Sequence, residues 1–355
     1  MKILVIGDTH FNDKAIDGYI EAQFRSIKKI IFKANPYKII FLGDFFDKRN
    51  PSVSTIVKCN EFLLNNCNGA EIVIIRGNHD SDSKSNDNLS ILEVFNNEVN
   101  RLRSICIPTS LYAHNNINLA FLPHYEGSDN ILKELNKLYT LLGHTPGWGD
   151  KTILFGHFGY KGCMNTMDIA DFDIDPSVFK TRTVLGHIHK YKKENDRLTV
   201  LGTPYTTYFG EAYKKSYYGV IDTENSLDME IHEVPYGLYH VIATIEELDE
   251  IKYILSAKDC YPLLRVLVDP KDKNIDLTSV KKNILSQYPN VPYIDIKIVK
   301  GSKTLESSSK EILKNLTEKY DNGELIKNYV STLKSPFSKE ELDSSLGYLK
   351  TYENK

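Results

Sequence analysis

Cysteine is scarce and shows no pairing pattern. The 355-residue chain holds five (Cys59, Cys67, Cys106, Cys163, Cys260), an odd number with no CxxC spacing. A disulfide framework is thereby disfavoured, and a reduced, cytoplasmic protein is expected. No apolar run approaches a membrane span of roughly 20 residues. The first residues, Met1-Lys2, lead straight into a strand-like run that reaches Asp8, so no secretory signal is expected. Internal repeats and low-complexity segments are absent too. Neither sign of charge dominates: 44 Lys and Arg face 47 Asp and Glu, a net charge of −3. The whole molecule is therefore no polycation, although a local basic groove or bound divalent metals would still serve a nucleic-acid enzyme. With 41% hydrophobic and 26% charged residues the balance is ordinary for a globular protein.

What is present is a series of short polar clusters, each placed just after an apolar run. Gly7-Asp8-Thr9-His10 follows Ile3-Leu4-Val5-Ile6, and Gly43-Asp44 follows Ile39-Ile40-Phe41-Leu42. Gly77-Asn78-His79-Asp80 follows Ile72-Val73-Ile74-Ile75, Gly156-His157 follows Ile153-Leu154-Phe155, and Gly186-His187-Ile188-His189 follows Thr183-Val184-Leu185. Five strands are thus expected to end in glycine followed by Asp, Asn or His. Strand ends are where an α/β fold places chemistry.

The surrounding pattern supports layers. Strands at 2–6, 38–42 and 71–76 alternate with helical stretches near 14–34, 53–66 and 87–97. From about 104 to 234 strands dominate (117–122, 152–156, 182–186, 198–201, 216–222, 227–234), interrupted by a helix near 128–141; this reads as a second sheet packed on the first, with helices outside. Residues 236–300 look like a small α/β unit, with strands at 239–245, 263–268 and 293–299 and helices near 246–257 and 277–287. Residues 301–355 read as a charged helical tail. Ser308 with Glu311 and Ser338 with Glu341 have capping-box spacing there, and Leu305, Ile312, Leu313 and Leu316 form one apolar stripe, Leu342, Leu346 and Leu349 another.

Asp, Asn and His offer hard oxygen and borderline nitrogen donors, suited to Mn²⁺, Fe²⁺ or Zn²⁺ rather than Ca²⁺. Two such ions roughly 4 Å apart clamp the attacking and leaving oxygens of a phosphoryl group. Asp44, on a central strand, is the candidate carboxylate shared between them. Asp8 and His10, one residue apart on an extended chain, point to the same side, and His187 and His189 share that spacing. Any single Gly-Asp is usually a turn, and any single Gly-His a surface or satisfied histidine; five clusters after five apolar strands are not explained that way. Leu141-Leu142-Gly143-His144 mimics the pattern but follows a helix-like segment, so His157 is preferred. His114, His124, His232 and His240 lack motif context and are assigned structural or surface roles.

In order, Asp-x-His, Gly-Asp-x-x-Asp, Gly-Asn-His-Asp, Gly-His and Gly-His-x-His resemble the calcineurin-like metallophosphoesterase superfamily over residues 1–235. That resemblance implies a two-sheet β-sandwich flanked by helices, followed by the small α/β cap and the helical tail. It also implies one metal held by Asp8, His10, Asp44 and His189, and a second held by Asp44, Asn78, His157 and His187. His79 would protonate the leaving oxygen or steady the phosphate. Asp47 resembles the position whose side chain orients that histidine, or it caps a turn; Asp80 orients it instead, or braces the loop.

Gly43-Asp44-Phe45-Phe46-Asp47 and Leu201-Gly202-Thr203-Pro204-Tyr205, with Phe209 and Glu211, are similar to the SbcD branch of the meiotic-recombination-eleven nucleases, and the compact length to its phage members. This implies Mn²⁺-dependent 3′→5′ exonuclease action on duplex DNA and endonuclease action on single strands or hairpins, in DNA repair and recombination. It further implies a homodimer, through helices near 53–66 or 87–97, and a coiled-coil SbcC-type ABC ATPase partner. The tail's apolar stripes would bind that partner or pack on the protein's own body. Lys48 and Arg49 follow Asp47, and Lys190, Lys192 and Lys193 follow His189; both groups are candidate DNA contacts, or ordinary solvated loops. A cyclic-nucleotide phosphodiesterase and a non-catalytic scaffold are the competing readings.

Overall fold

A computed structural model describes residues 1–298 except 68, 100, 114–116, 144–146, 165–172, 235 and 269–275. The tail stripes, both capping boxes, His114 and His144 lie outside the described residues.

Four parallel strands, β1 (Lys2–Ile6), β2 (Lys38–Phe41), β3 (Glu71–Ile75) and β4 (Leu102–Ile105), build half of the first sheet and more. Helices α1 (Tyr19–Ala34) and α2 (Val53–Asn66) make the first two crossovers. Ser52 fixes the start of α2 by accepting from the Thr55 N–H at 3.1 Å. The second sheet holds β5 (Thr109–Tyr112), β6 (Asn118–Leu122), β7 (Thr152–His157), β8 (Arg182–Gly186), β9 (Lys192–Lys193) and β10 (Leu198–Val200), with α3 (Ser128–Leu142) between β6 and β7. Strands β6, β7, β8 and β10 run parallel.

Alternating residues of each strand face opposite ways, and here both faces are buried, which is why the strands read as unbroken apolar runs. Ile3, Val5, Ile40, Leu42, Val73 and Ile75 meet Leu119, Phe121, Ile153, Phe155 and Val184 between the sheets. Leu4, Ile6, Ile39, Phe41, Ile72 and Ile74 face outward onto α1 and α2. Ala120, Leu122, Leu154 and Leu185 face α3. The result is a helix–sheet–sheet–helix sandwich, as expected.

Three expectations change. Strands β11 (Tyr217–Asp222) and β12 (Met229–Glu233) join the first sheet, antiparallel beside β1, not the second. Apolar period reports that a strand is buried, not which edge it pairs with. The stretch near 87–97 forms only a short 3₁₀ turn, Ile91–Phe95, whose Phe95 packs on Phe45 and Phe46. The helix expected at 246–257 shrinks to α4 (Lys252–Leu255). A third, wholly parallel sheet follows: β13 (Gly237–Thr244), β14 (Cys260–Val268) and β15 (Tyr293–Ile298), with α5 (Leu277–Gln287) before the last strand. It has its own core of Val241, Leu255, Leu264, Val266 and Ile284. Thr206 and His240 join it to the sandwich: the His240 N–H donates to Thr206 Oγ1 at 2.7 Å.

No helix among the described residues is long and apolar enough to cross a membrane. All five cysteines are free, four of them buried.

The end of β1 is locked against the 202 turn. A Cβ on Gly7 would lie 1.7 Å from the Gly202 carbonyl oxygen, whereas one on Gly149 would meet nothing closer than 3.7 Å. Gly7→Ala should therefore cost roughly 3 kcal/mol or more in urea unfolding, and Gly149→Ala close to nothing; equal stabilities would contradict this packing.

Candidate metal centre

Every candidate donor sits at the carboxyl end of a sandwich strand: Asp8 and His10 after β1, Asp44 after β2, Asn78 and His79 after β3, His157 at the end of β7, and His187 and His189 after β8. Asp8, Asp44, His10 and His157 are 4% exposed or less. His10, Asp44 and His187 adopt left-handed backbone angles, with φ of 45°, 44° and 80°. Such angles cost energy in non-glycine residues and persist where surrounding structure enforces them, commonly at functional sites. Enforcement is visible: the His10 N–H donates to the Asp44 carbonyl at 2.9 Å, and the His187 N–H donates to both Asp8 oxygens at 3.0 and 2.9 Å. Gly77 is required beside them, since a Cβ there would lie 2.1 Å from Asp44 Oδ1.

The donors converge as two groups linked by a third set, His10, Asp44 and His79, that shares a residue with each. Asp8, His10 and His189 form one, and Asp44, His157 and His187 the other, with donor atoms within 4.8 Å of one another in each. Asn78 Oδ1 enters the second group, 3.2 Å from His157 Nε2 and 2.9 Å from His187 Nδ1. Asp44 lies between the groups, with Oδ1 3.3 Å from His157 Nε2 and Oδ2 3.8 Å from His10 Nε2.

Backbone carbonyls set the histidine tautomers, because a carbonyl only accepts. His157 Nδ1 lies 2.7 Å from the Leu42 oxygen, so Nδ1 keeps a proton in either charge state, and Nε2, facing Asp44 at 3.3 Å, is the nitrogen that carries the second proton or gives it up to a cation. His189 is set similarly by a carboxylate: Nδ1 is 2.6 Å from Glu211 Oε1, and Nε2 is 3.0 Å from His10 Nε2. Two facing imidazole nitrogens, His10 Nε2 and His189 Nε2, beside two buried carboxylates are the donor set a divalent cation completes.

Charge balance agrees. Burial pushes Asp44 toward protonation, but His157, His10 and His79 outweigh it and hold its carboxyl well below the usual range. His157 is opposed by burial yet raised to about 9 by Asp44 and Asp8. Burial lowers His10 to about 3 and keeps it neutral. Burial also raises Asp8, and Asp44 adds to the effect.

His79 stands at the rim, its side chain 41% exposed, with Nε2 4.0 Å from Asp44 Oδ2. The Asp47 expectation is corrected here: the backbone carbonyl of Asp47, not its carboxylate, holds His79 Nδ1 at 2.6 Å. The loop backbone is pinned by the Asp47 N–H on the Phe11 carbonyl, and the carboxylate faces His10 Nδ1 at 3.7 Å instead. Asp80 braces: its oxygens accept from the Phe45, Phe46 and Gly77 N–H groups at 3.1, 3.0 and 2.9 Å. It does not contact the His79 ring among the described hydrogen bonds.

Three residues take places at the site that the sequence reading did not give them. His124 lies 5.6 Å ring to ring from His187, and burial lowers it to about 3. It follows β6 as the other histidines follow their strands, but Pro123 stands where they have glycine. Gln23 is buried on α1 and donates to the His10 carbonyl at 2.9 Å. Glu211 holds His189; no sequence spacing ties residues 189 and 211.

The calcineurin-like phosphoesterase family profile matches residues 1–191, more than half of the chain. The chain belongs to that family. A calcineurin-like phosphoesterase hydrolyses phosphoesters with divalent metals, and the two donor groups fit that requirement. Comparison with curated proteins finds no match. Among solved structures, the nuclease MPE of Pseudomonas putida is similar at 13% identity and a TM-score of 0.29, over 65% of this chain and 86% of that one.

Glu211 is the residue around His189 whose charge can be read out. Burial opposes its ionisation, but the His189 hydrogen bond and Lys214 lower it from an ordinary 4.5 to about 2. A carboxylate depressed on folding stabilises fully above its unfolded value, and that stability fades as pH falls toward the folded one. The shift corresponds to roughly 3 kcal/mol. In EDTA, Glu211→Gln should melt lower than wild type above pH 5, with the gap closing between about pH 4.5 and 2; a gap independent of pH would refute the pairing.

Proposed function

We propose that this phosphoesterase is a DNA nuclease of the SbcD type, hydrolysing phosphodiesters with two Mn²⁺ ions. The observation that carries the two-metal reading is the placement of Asp44 between the Asp8–His10–His189 and the Asn78–His157–His187 groups. Bound ions would supply charge at the phosphoryl oxygens and an activated water for in-line attack. The chain's own residues then do the rest. Asp8 and Asp44 lie dry and fixed by backbone N–H groups, so no reorganisation is needed as charge develops. His79, its Nδ1 proton committed to the Asp47 carbonyl, presents Nε2 to the phosphate. Protonated there, it gives a proton to the departing sugar oxygen.

Supporting DNA as the substrate are the basic residues around the rim. Lys48 and Lys190 are exposed. Lys192 and Lys193 are engaged by Glu194 at 2.7 Å and Asp196 at 2.9 Å, and Arg49 by Glu126 at 3.4 Å. Lys190 is thus the member of its run readiest to hold a phosphate. The homodimer is proposed through α2, where Val53, Val57 and Leu64 are exposed at helical spacing. An SbcC-type ATPase partner rests on the sequence resemblance alone.

With Mn²⁺ and end-labelled duplex DNA, Asp44→Ala should abolish cleavage. His79→Ala should keep both metals by calorimetry and lose roughly 100-fold or more in turnover. Cyclic-nucleotide hydrolysis with no action on DNA would favour a small-molecule phosphodiesterase instead.

Lys190→Ala should lower the slope of log binding constant against log salt for duplex DNA by about 0.9, one phosphate contact. An unchanged slope removes Lys190 from the DNA path.

A further inference from the structure

Beside the second donor group a pocket of about 160 Å³ opens, bounded by Asn78 and His187 on the metal side and by Arg49, Lys84, His124 and Phe158 elsewhere. Two donors are therefore also pocket wall, so a phosphate held over the donors lies at the pocket's edge with room for an ester substituent to turn inward. The floor suits a ring: Phe158 is 1% exposed, and Tyr125 and Ile131, which complete it, are buried too. Its volume is close to the roughly 150 Å³ cavity that admits a benzene ring. A second fused ring exceeds that space and would stand in the open mouth of the pocket.

Polar groups are placed for the rest of a nucleotide. His124 Nε2 is buried without a hydrogen-bond partner among the described residues and faces Glu126 Oε1 only at 3.8 Å; with Nδ1 on the His157 carbonyl, Nε2 is left to accept from a base N–H. Lys84 is exposed at the mouth with no partner among the described residues. Arg49 reaches the same mouth through long contacts, 3.4 Å to Glu126 and 3.4 Å to the Ser81 carbonyl, which a phosphate would displace readily.

We propose that this pocket is a subsite for one unpaired, single-ring nucleoside adjoining the scissile phosphate, with Lys84 and Arg49 on the next phosphate. The inference rests on the DNA reading above and adds a specificity to it: pyrimidine nucleotides at unpaired positions are preferred over purines.

Calorimetry with the full-length chain and Mn²⁺ tests the pocket without requiring turnover. Thymidine 5′-monophosphate should bind about tenfold tighter than deoxyadenosine 5′-monophosphate, the scale of discrimination a tight apolar pocket achieves. His124→Ala, which enlarges the pocket, should narrow the ratio. If that variant does not fold, Lys84→Ala should weaken thymidine 3′,5′-diphosphate several-fold while sparing the 5′-monophosphate. Equal binding of the two monophosphates, or no effect of either variant, overturns the proposal. Single-stranded oligonucleotides ending in pyrimidine or purine then separate the two readings. Unequal monophosphate binding without DNA cleavage keeps the pocket and sinks the nuclease; cleavage with equal monophosphate binding does the reverse.

Discussion

A carboxylate kept ionised in a dry place is the constraint on which this molecule turns. Asp44 is 2% exposed, and burial alone would neutralise it. What holds its charge is chiefly the His157 imidazole, with a smaller contribution from His79 and its backbone N–H at 2.8 Å. The two buried acids and their histidines are mutually dependent: His157 stays charged because Asp44 and Asp8 are near, and Asp44 stays charged because His157 is. A bound cation would take over the same role with more charge, which is why such a cluster suits metals.

Holding those groups still falls to the sandwich. The strands end at one level, and the chain leaves each through a glycine or a left-handed residue that turns the next side chain inward. Further out lies a layer that touches no substrate. Gln23 steadies the His10 carbonyl, Asp80 ties the 45–46 and 77 backbones together, and Glu211 sets the His189 tautomer. Glu211 is also one step from the third sheet, since Phe209 in the same turn lies against the His240 ring at 4.9 Å and under Arg265. The metal site and the third sheet therefore share a wall.

Much of this was legible along the chain. The strands that carry donors are apolar runs closed by glycine, and Asp8, His10, Asp44, Asn78, His157, His187 and His189, the residues named from the resemblance, lie together in space. Less legible were features that depend on pairing or on backbone rather than side chain. The 217–222 strand has the same pattern as the second-sheet strands, yet it lies beside β1. Asp47 reaches His79 through its carbonyl, a group every residue possesses and no motif can mark. His124 lacked the glycine that flagged its neighbours.

The sequence by itself determined the layers, the donor types and the strand ends that bear them, because period and strand-end chemistry are local properties of a chain. Only the tertiary structure decided that Asp44 lies between the two donor groups, that Glu211 stands behind His189, and that a one-ring pocket adjoins Asn78 and His187. Those facts depend on distances between segments 20 to 180 residues apart, and such distances arise only when the two sheets close on a common core.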